Sequence, residues 1–206
     1  MKQSKSEYVI SIKLIELFSL TDINFVSAEE LDSNEGTHRE AGSENWSTVM
    51  HRNGPRKGPF EQNGWLGYQR GFGSTANNGN FWWGLENLHK YTSSGKWNVL
   101  FKLRSQKGGS AVIKFHGFKV ASKYENYRVS IGKSYEFFGE QKMKDYIGKI
   151  QGINGNMFTT KDADNDSWSW TNLATAWGGG FWFNHNYLYP PTCRHFADAL
   201  MAIARA

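Results

Sequence analysis

The sequence predicts an α+β domain: a central twisted antiparallel sheet with short helices, ending in a loop-rich carboxyl-terminal subdomain. Three observations lead there. Alternating apolar segments between residues 97 and 131 follow one another through short turns, which implies an antiparallel meander. Brief helical patterns end at glycines. Residues 152–192 lose almost all periodicity but are rich in Gly, Asn, Asp and Trp. So long an irregular stretch in a compact domain is functional or disordered, and the tryptophans argue against disorder.

The elements are predicted in order. Ser47–Arg52 (STVMHR) reads as a strand, and residues 52–60 form a turn cluster. Residues 60–73 predict a short helix ending at Gly71 or Gly73. Residues 81–95 give a short strand and a short helix centred on Glu86–Tyr91. In the next segment Trp97, Val99, Phe101 and Leu103 lie on one strand face; Asn98, Lys102 and Arg104 lie on the other, with Leu100 as the exception. Ile113 and Phe115 share one parity, whereas Phe118 and Val120 share the opposite one, so a bend or bulge is expected at Gly117. Tyr127, Val129 and Ile131 predict a further strand of the meander. In the tail, Phe196, Ala199, Leu200 and Ile203 have helical spacing and predict a short amphipathic helix.

The chain has 206 residues, enough to bury a substantial core. Nine Trp, nine Tyr and 14 Phe beside 22 Gly suit a loop-rich fold whose rings pin irregular backbone. The net charge is +5, but Lys and Arg are scattered without a basic run, so no nucleic-acid partner is expected. Residues 8–20 are apolar but interrupted by Lys13 and Glu16, and they are too short to span a membrane. They read as a buried helix or strand, with a degenerate signal sequence as the other reading. Residues 27–45 are polar and acidic and read as a linker or mobile loop. The expected organisation is therefore an unassigned segment and linker at 1–45, one domain at 46–187, and a divergent tail at 188–206.

No enzyme class is indicated. The chain lacks a G-x-S-x-G elbow, a phosphate loop, and H-x-x-x-H or C-x-x-C spacing. Its one cysteine, Cys193, reads as an ordinary free thiol. Asp162, Asp164 and Asp166 stand at alternate positions. Such spacing can aim hard oxygen donors at calcium, or it can be an Asx-rich turn with solvated carboxylates. An EF-hand is excluded, because Ser167 stands at the sixth loop position and Leu173 at the twelfth. The run Gly178–Asn184 (GGGFWFN) reads either as a buried strand after a flexible turn or as the wall of a shallow sugar or acetyl site.

Several motifs, in order, resemble the fibrinogen C-terminal globular domain, the family of ficolins, tachylectins, angiopoietins and tenascins. GWLGYQRGFG resembles the family's W-x-x-Y-x-x-GFG, and GNFWWGLENLHKYTSSGKWNVLFKL its FWLG-x-ENIH segment. YENYRVSIGKSY, NGNMFTTKDADND and GGGFWFN resemble its Y-x-L-x-V-G-x-Y, its NGM-x-FST-x-D-x-DND and its GGWWYN. The resemblance covers about residues 46–187. It implies calcium held by the carboxylates of Asp164 and Asp166 and the carbonyls of Trp168 and Trp170, with Ser169 as the alternative second carbonyl and Asp162 in support. It also implies a ligand site at Asn172, Leu173, Trp177, Phe181, Trp182 and Tyr187.

The sequence departs from the family at that site. Leu173 and Asn186 stand where the family has a disulfide, Tyr187 replaces a His, and Trp177 replaces a Tyr. The family's cis Asn–Cys turn falls at Asn172–Leu173. No counterpart of the family's first strand and amino-terminal cysteine pair is recognisable before residue 46, nor of its final strand after Tyr187, so the chain reads as truncated at both ends. The resemblance implies a secreted, non-enzymatic recognition domain binding acetylated glycans, as in innate-immune lectins. The alternatives are a protein-interaction module of matrix or receptor-binding type, or a degenerate member without ligand.

Overall fold

A computed structural model describes residues 25–26, 45–76, 79–184 and 190–206. The apolar stretch at 8–20, residues 27–44 of the predicted linker, and Tyr187 lie outside the described residues. The strands are β1 (Phe25–Val26), β2 (Trp46–Asn53), β3 (Phe72–Gly73), β4 (Phe81–Trp82), β5 (Trp97–Ser105), β6 (Ser110–His116), β7 (Lys119–Val120), β8 (Val129–Ser130), β9 (Tyr135–Gly139) and β10 (Phe196–Arg205). The helices are α1 (Pro59–Gln62), α2 (Trp65–Arg70), α3 (Leu85–Thr92), α4 (Asp145–Gln151) and α5 (Leu173–Trp177).

One sheet runs in the order β3-β4-β2-β10-β5-β6-β9, with β1 added parallel to β2. The remaining pairs in this sheet are antiparallel. The main core lies on one face, where Val99, Phe101 and Leu103 of β5 meet Ala199, Met201 and Ile203 of β10. The pairing of β2 with β10 slips at Val49, so that both Val49 and Met50 reach the core. The opposite face is partly covered too, by Trp46, Leu100, Ala202 and Ala204. That small cluster explains why Leu100 broke the expected alternation.

Two expectations are corrected here. The tail is a strand and not a helix. Ala199, Met201 and Ile203 share one strand face, and Phe196 joins the core past a slip in register before Asp198; β10 lies between β2 and β5, where a ladder on each side satisfies its backbone groups. Tertiary placement overrides the helix preference of its alanines. The carboxyl-terminal segment thus supplies a long strand in the middle of the sheet. The second correction concerns Tyr127, Val129 and Ile131. All three are buried, yet only Val129–Ser130 is strand, paired with β7 in a separate ribbon. The neighbour of β6 is β9.

Other elements follow the sequence reading. Gly117 ends β6 at a left-handed φ of +76°. Gly71 ends α2 at φ +97°, and a Cβ there would lie 2.7 Å from the Trp83 carbonyl oxygen. On α3, Leu85, Leu88 and Thr92 face inward. The Thr92 hydroxyl donates to the Leu88 carbonyl at 2.6 Å and accepts the Val120 amide at 2.9 Å, tying α3 to β7.

Candidate functional site

The aspartate loop is framed by backbone. Thr159 pairs with Phe181 in an isolated bridge, and Thr160 with Ala163. Asn165 turns inward: its side-chain amide donates to the Phe158 carbonyl at 2.9 Å, and its backbone amide donates to the Thr159 hydroxyl at 3.1 Å. Asn165 is thus part of the loop's own hydrogen-bond frame.

The three aspartates hold different positions. Asp162 faces α2, where its Oδ1 accepts the Trp65 amide at 2.8 Å and the Thr160 hydroxyl at 2.7 Å. Burial raises the Asp162 pKa, but those two hydrogen bonds and the Lys161 charge bring it below the usual carboxylate range. Lys161 reinforces the join by donating to the Gln62 carbonyl and, at 3.2 Å, to the Glu61 carbonyl.

Asp166 organises the next turn. Its Oδ1 accepts the Trp168 amide at 2.8 Å, and its Oδ2 accepts the Leu173 amide at the start of α5 at 2.9 Å. Burial holds its carboxyl above the usual range; the two amides oppose this, and the adjacent Asp164 charge adds to it. Asp164, Asp166, Ser167, Trp168, Ser169, Trp170 and Thr171 line one open hollow of about 440 Å³. Two neighbouring carboxylates are hard-oxygen donors of the kind calcium takes. A divalent cation there would offset the repulsion that helps hold Asp166 high. The two carboxylates are thus of the type the ion takes. No cluster of three or more His, Cys, Asp or Glu side chains that could hold a metal occurs among the described residues.

Asn172 caps α5 by accepting the Thr175 amide at 2.9 Å, while its amide donates to the Thr160 carbonyl at 2.9 Å. It thereby links helix and aspartate loop. Asn172→Ala is expected to lose about 1–2 kcal/mol. Urea unfolding should show a lower midpoint with an unchanged slope.

The expected aromatic wall is corrected. Phe181 and Trp182 are both fully buried. The Trp182 indole packs edge-on to Phe158 with ring centroids 5.0 Å apart and donates to the Tyr127 carbonyl at 2.7 Å. These rings fill the core and present no face to a ligand. Leu173 is also buried, while Trp177 is half-buried. Every peptide bond among the described residues is trans, so the family's cis turn has no counterpart at Asn172–Leu173. The exposed aromatic surface lies elsewhere: Trp168 is 39% exposed and Trp170 is 86% exposed. These residues entered the sequence reading for their carbonyls alone, and nothing in the alternation of Ser and Trp there indicated outward indoles.

A second hollow, of about 220 Å³, lies behind this loop between α1 and the glycine run. Its lining comes from four separate segments, of which only the glycine run was singled out in the sequence. Cys193 is buried, and burial pushes its thiol up to about 11, which leaves it a poor nucleophile.

The family model for the C-terminal globular domain of fibrinogen beta and gamma chains matches residues 37–199. The chain belongs to that family. Among curated proteins, bovine (Bos taurus) angiopoietin-4 is 31% identical over 163 residues, 76% of this chain and 30% of that protein. Human ficolin-3 is 32% identical over 123 residues, 60% of this chain and 38% of that protein. The chain thus spans about a third of the length of these relatives. Among solved structures, the fibrinogen-like globe domain of human ANGPTL6 superposes with a TM-score of 0.62 at 24% identity, covering 78% of each chain. A lamprey fibrin D-dimer, solved with the peptide ligand Gly-His-Arg-Pro-amide, gives 0.63 at 15% identity, with 97% of this chain and 82% of that chain covered. At these identities the superpositions establish the fold.

Proposed function

We propose that this chain is a non-enzymatic, extracellular recognition domain that binds calcium and, beside it, acetylated glycans. One observation carries the reading: Asp164 and Asp166 share a hollow with the loop that exposes Trp168 and Trp170. In this reading Asp164, Asp166 and the carbonyls of Trp168 and Trp170 hold the ion. The ion supplies positive charge that removes carboxylate repulsion and fixes the loop. The chain's own residues do the rest. Asp166 couples the loop to α5 through the Leu173 amide, and Asp162 couples it to α2 through the Trp65 amide.

With Phe181 and Trp182 buried, the indoles of Trp168 and Trp170 become the ligand-facing aromatic surface. Ser167, Ser169 and Thr171 stand beside them as hydrogen-bonding groups for sugar hydroxyls. The test is capture on an immobilised N-acetylated glycan, with free N-acetylglucosamine as competitor. Trp170→Ala should weaken capture about two- to twelvefold, since an aromatic contact is worth about 0.5–1.5 kcal/mol. Its stability should stay within about 0.5 kcal/mol of the parent, as for other exposed substitutions. Unaltered capture by a folded Trp170→Ala protein would remove the indole from the ligand site.

The burial of the expected wall also supports a second reading, a protein–protein interaction module. Exposed tryptophans suit protein partners as well. Capture of glycan that free N-acetylglucosamine cannot compete would favour that module. The extracellular location rests on the family. No helix among the described residues is long and apolar enough to cross a membrane.

A further inference from the structure

We infer that the hollow between α1 and the glycine run is a second ligand site, suited to an acidic saccharide unit bearing a carboxylate or sulfate. The inference rests on the recognition reading above but not on calcium. The walls come from separate segments, with Lys57 and Glu61 in and before α1, Lys161 in the aspartate loop, the glycine run, and Arg194 before β10. The volume of about 220 Å³ suits a group the size of one sugar ring rather than a drug-sized ligand.

The charge balance selects the ligand. Glu61 is the one acidic lining residue, and it is already neutralised. Its Oε1 accepts the buried Arg52 guanidinium at 2.8 Å, and its Oε2 accepts the Gly58 amide at 2.8 Å. Three further cations line the hollow, Lys57, Lys161 and Arg194, and Lys161 also donates to the Gln62 and Glu61 carbonyls. Arg194 lies 3.7 Å from Glu61, a long contact for a residue whose side chain is 57% exposed. A partly enclosed hollow ringed by surplus positive charge draws an anion and holds it more strongly than an open surface does.

The glycine run shapes the wall. Gly178 takes a left-handed φ of +73°, and a Cβ there would come within 3.2 Å of the Glu61 side chain. A Cβ on Gly180 would lie 2.8 Å from Phe158. The run thus lets backbone close over the core while leaving space on its outer side. Two buried polar atoms without a protein partner, Arg52 Nε and Thr192 Oγ1, stand behind this wall next to Glu61 and Gly179.

The test is calorimetric titration at fixed ionic strength with glucuronic acid, glucose 6-sulfate, neutral glucose and inorganic sulfate. The two acidic sugars should bind, glucose should not, and sulfate alone should bind more weakly than the sulfated sugar. The double variant Lys57→Ala/Arg194→Ala should lose at least tenfold in affinity while keeping the parent melting temperature. Binding should persist in EDTA, so failure of the calcium reading and failure of this one are distinguishable. Equal binding of glucose and the acidic sugars, sulfate binding as tightly as the sulfated sugar, or a folded double variant with parental affinity, would each overturn the assignment.

Discussion

A chain ending at His195 is expected to show no cooperative unfolding transition. The missing residues are β10, which pairs with β2 on one side and with β5 on the other. Phe196, Met201 and Ile203 are each fully buried in the main core. Burial of such side chains contributes about 1.5–3 kcal/mol each, and together this approaches the whole stability of an ordinary domain, about 5–15 kcal/mol. Truncation would also expose the facing edges of β2 and β5, which invites aggregation. Near-UV circular dichroism and a urea titration decide the matter. A truncated chain with a parental midpoint would show that β10 is not part of the folding unit.

The second large effect is expected at Glu61. The Arg52–Glu61 pair is buried, with side-chain exposures of 1% and 6%. Arg52 also donates to the Thr192 carbonyl at 2.8 Å and the Arg56 carbonyl at 3.1 Å. The pair therefore joins α1, the turn after β2 and the lead-in to β10. Glu61→Ala leaves a buried guanidinium without its carboxylate, at a cost of about 3–5 kcal/mol. It also removes the acceptor of the Gly58 amide at the start of α1. For a chain of this length the melting temperature should fall by about 10 °C. The double variant Arg52→Met/Glu61→Leu should recover much of the loss, because apolar residues of similar volume avoid the unpaired charge. A single variant within about 0.5 kcal/mol of the parent would contradict the account.

Much of the sheet was legible in the sequence because its strands carry a strict period. Trp97, Val99, Phe101 and Leu103 all face the main core, as their alternation required. The tail was not legible, since Phe196, Ala199 and Ile203 fit a helical stripe, and Phe196 reaches the core face of the strand only past a slip in register. Only the slot between β2 and β5 decides between them, and that slot is a property of the whole chain. Tyr127, Val129 and Ile131 alternate because all three enter the main core, so alternation reported burial and not membership of the large sheet.

The aspartate loop shows the same division. Spacing drew attention to Asp164 and Asp166, which do line one hollow. It could not show that Asp162 turns away to meet the Trp65 amide. Nor could it tell inward from outward rings: Trp182 is buried and Trp170 is exposed, although both lie in aromatic-rich irregular segments. The cations of the second hollow come from three distant segments, so no run of basic residues marked them.

The central claim is a calcium-ordered recognition domain, and the most direct test is a thermal melt in calcium and in EDTA, with Asp164→Ala alongside. A ligand that binds only the folded state adds about 2.7 kcal/mol at a hundredfold excess over its Kd. The account predicts a rise in melting temperature of about 5–10 °C on adding calcium, lost in Asp164→Ala. A cooperative melt at one temperature in calcium, in EDTA and in the variant would reduce the loop to an Asx-rich turn and contradict the account.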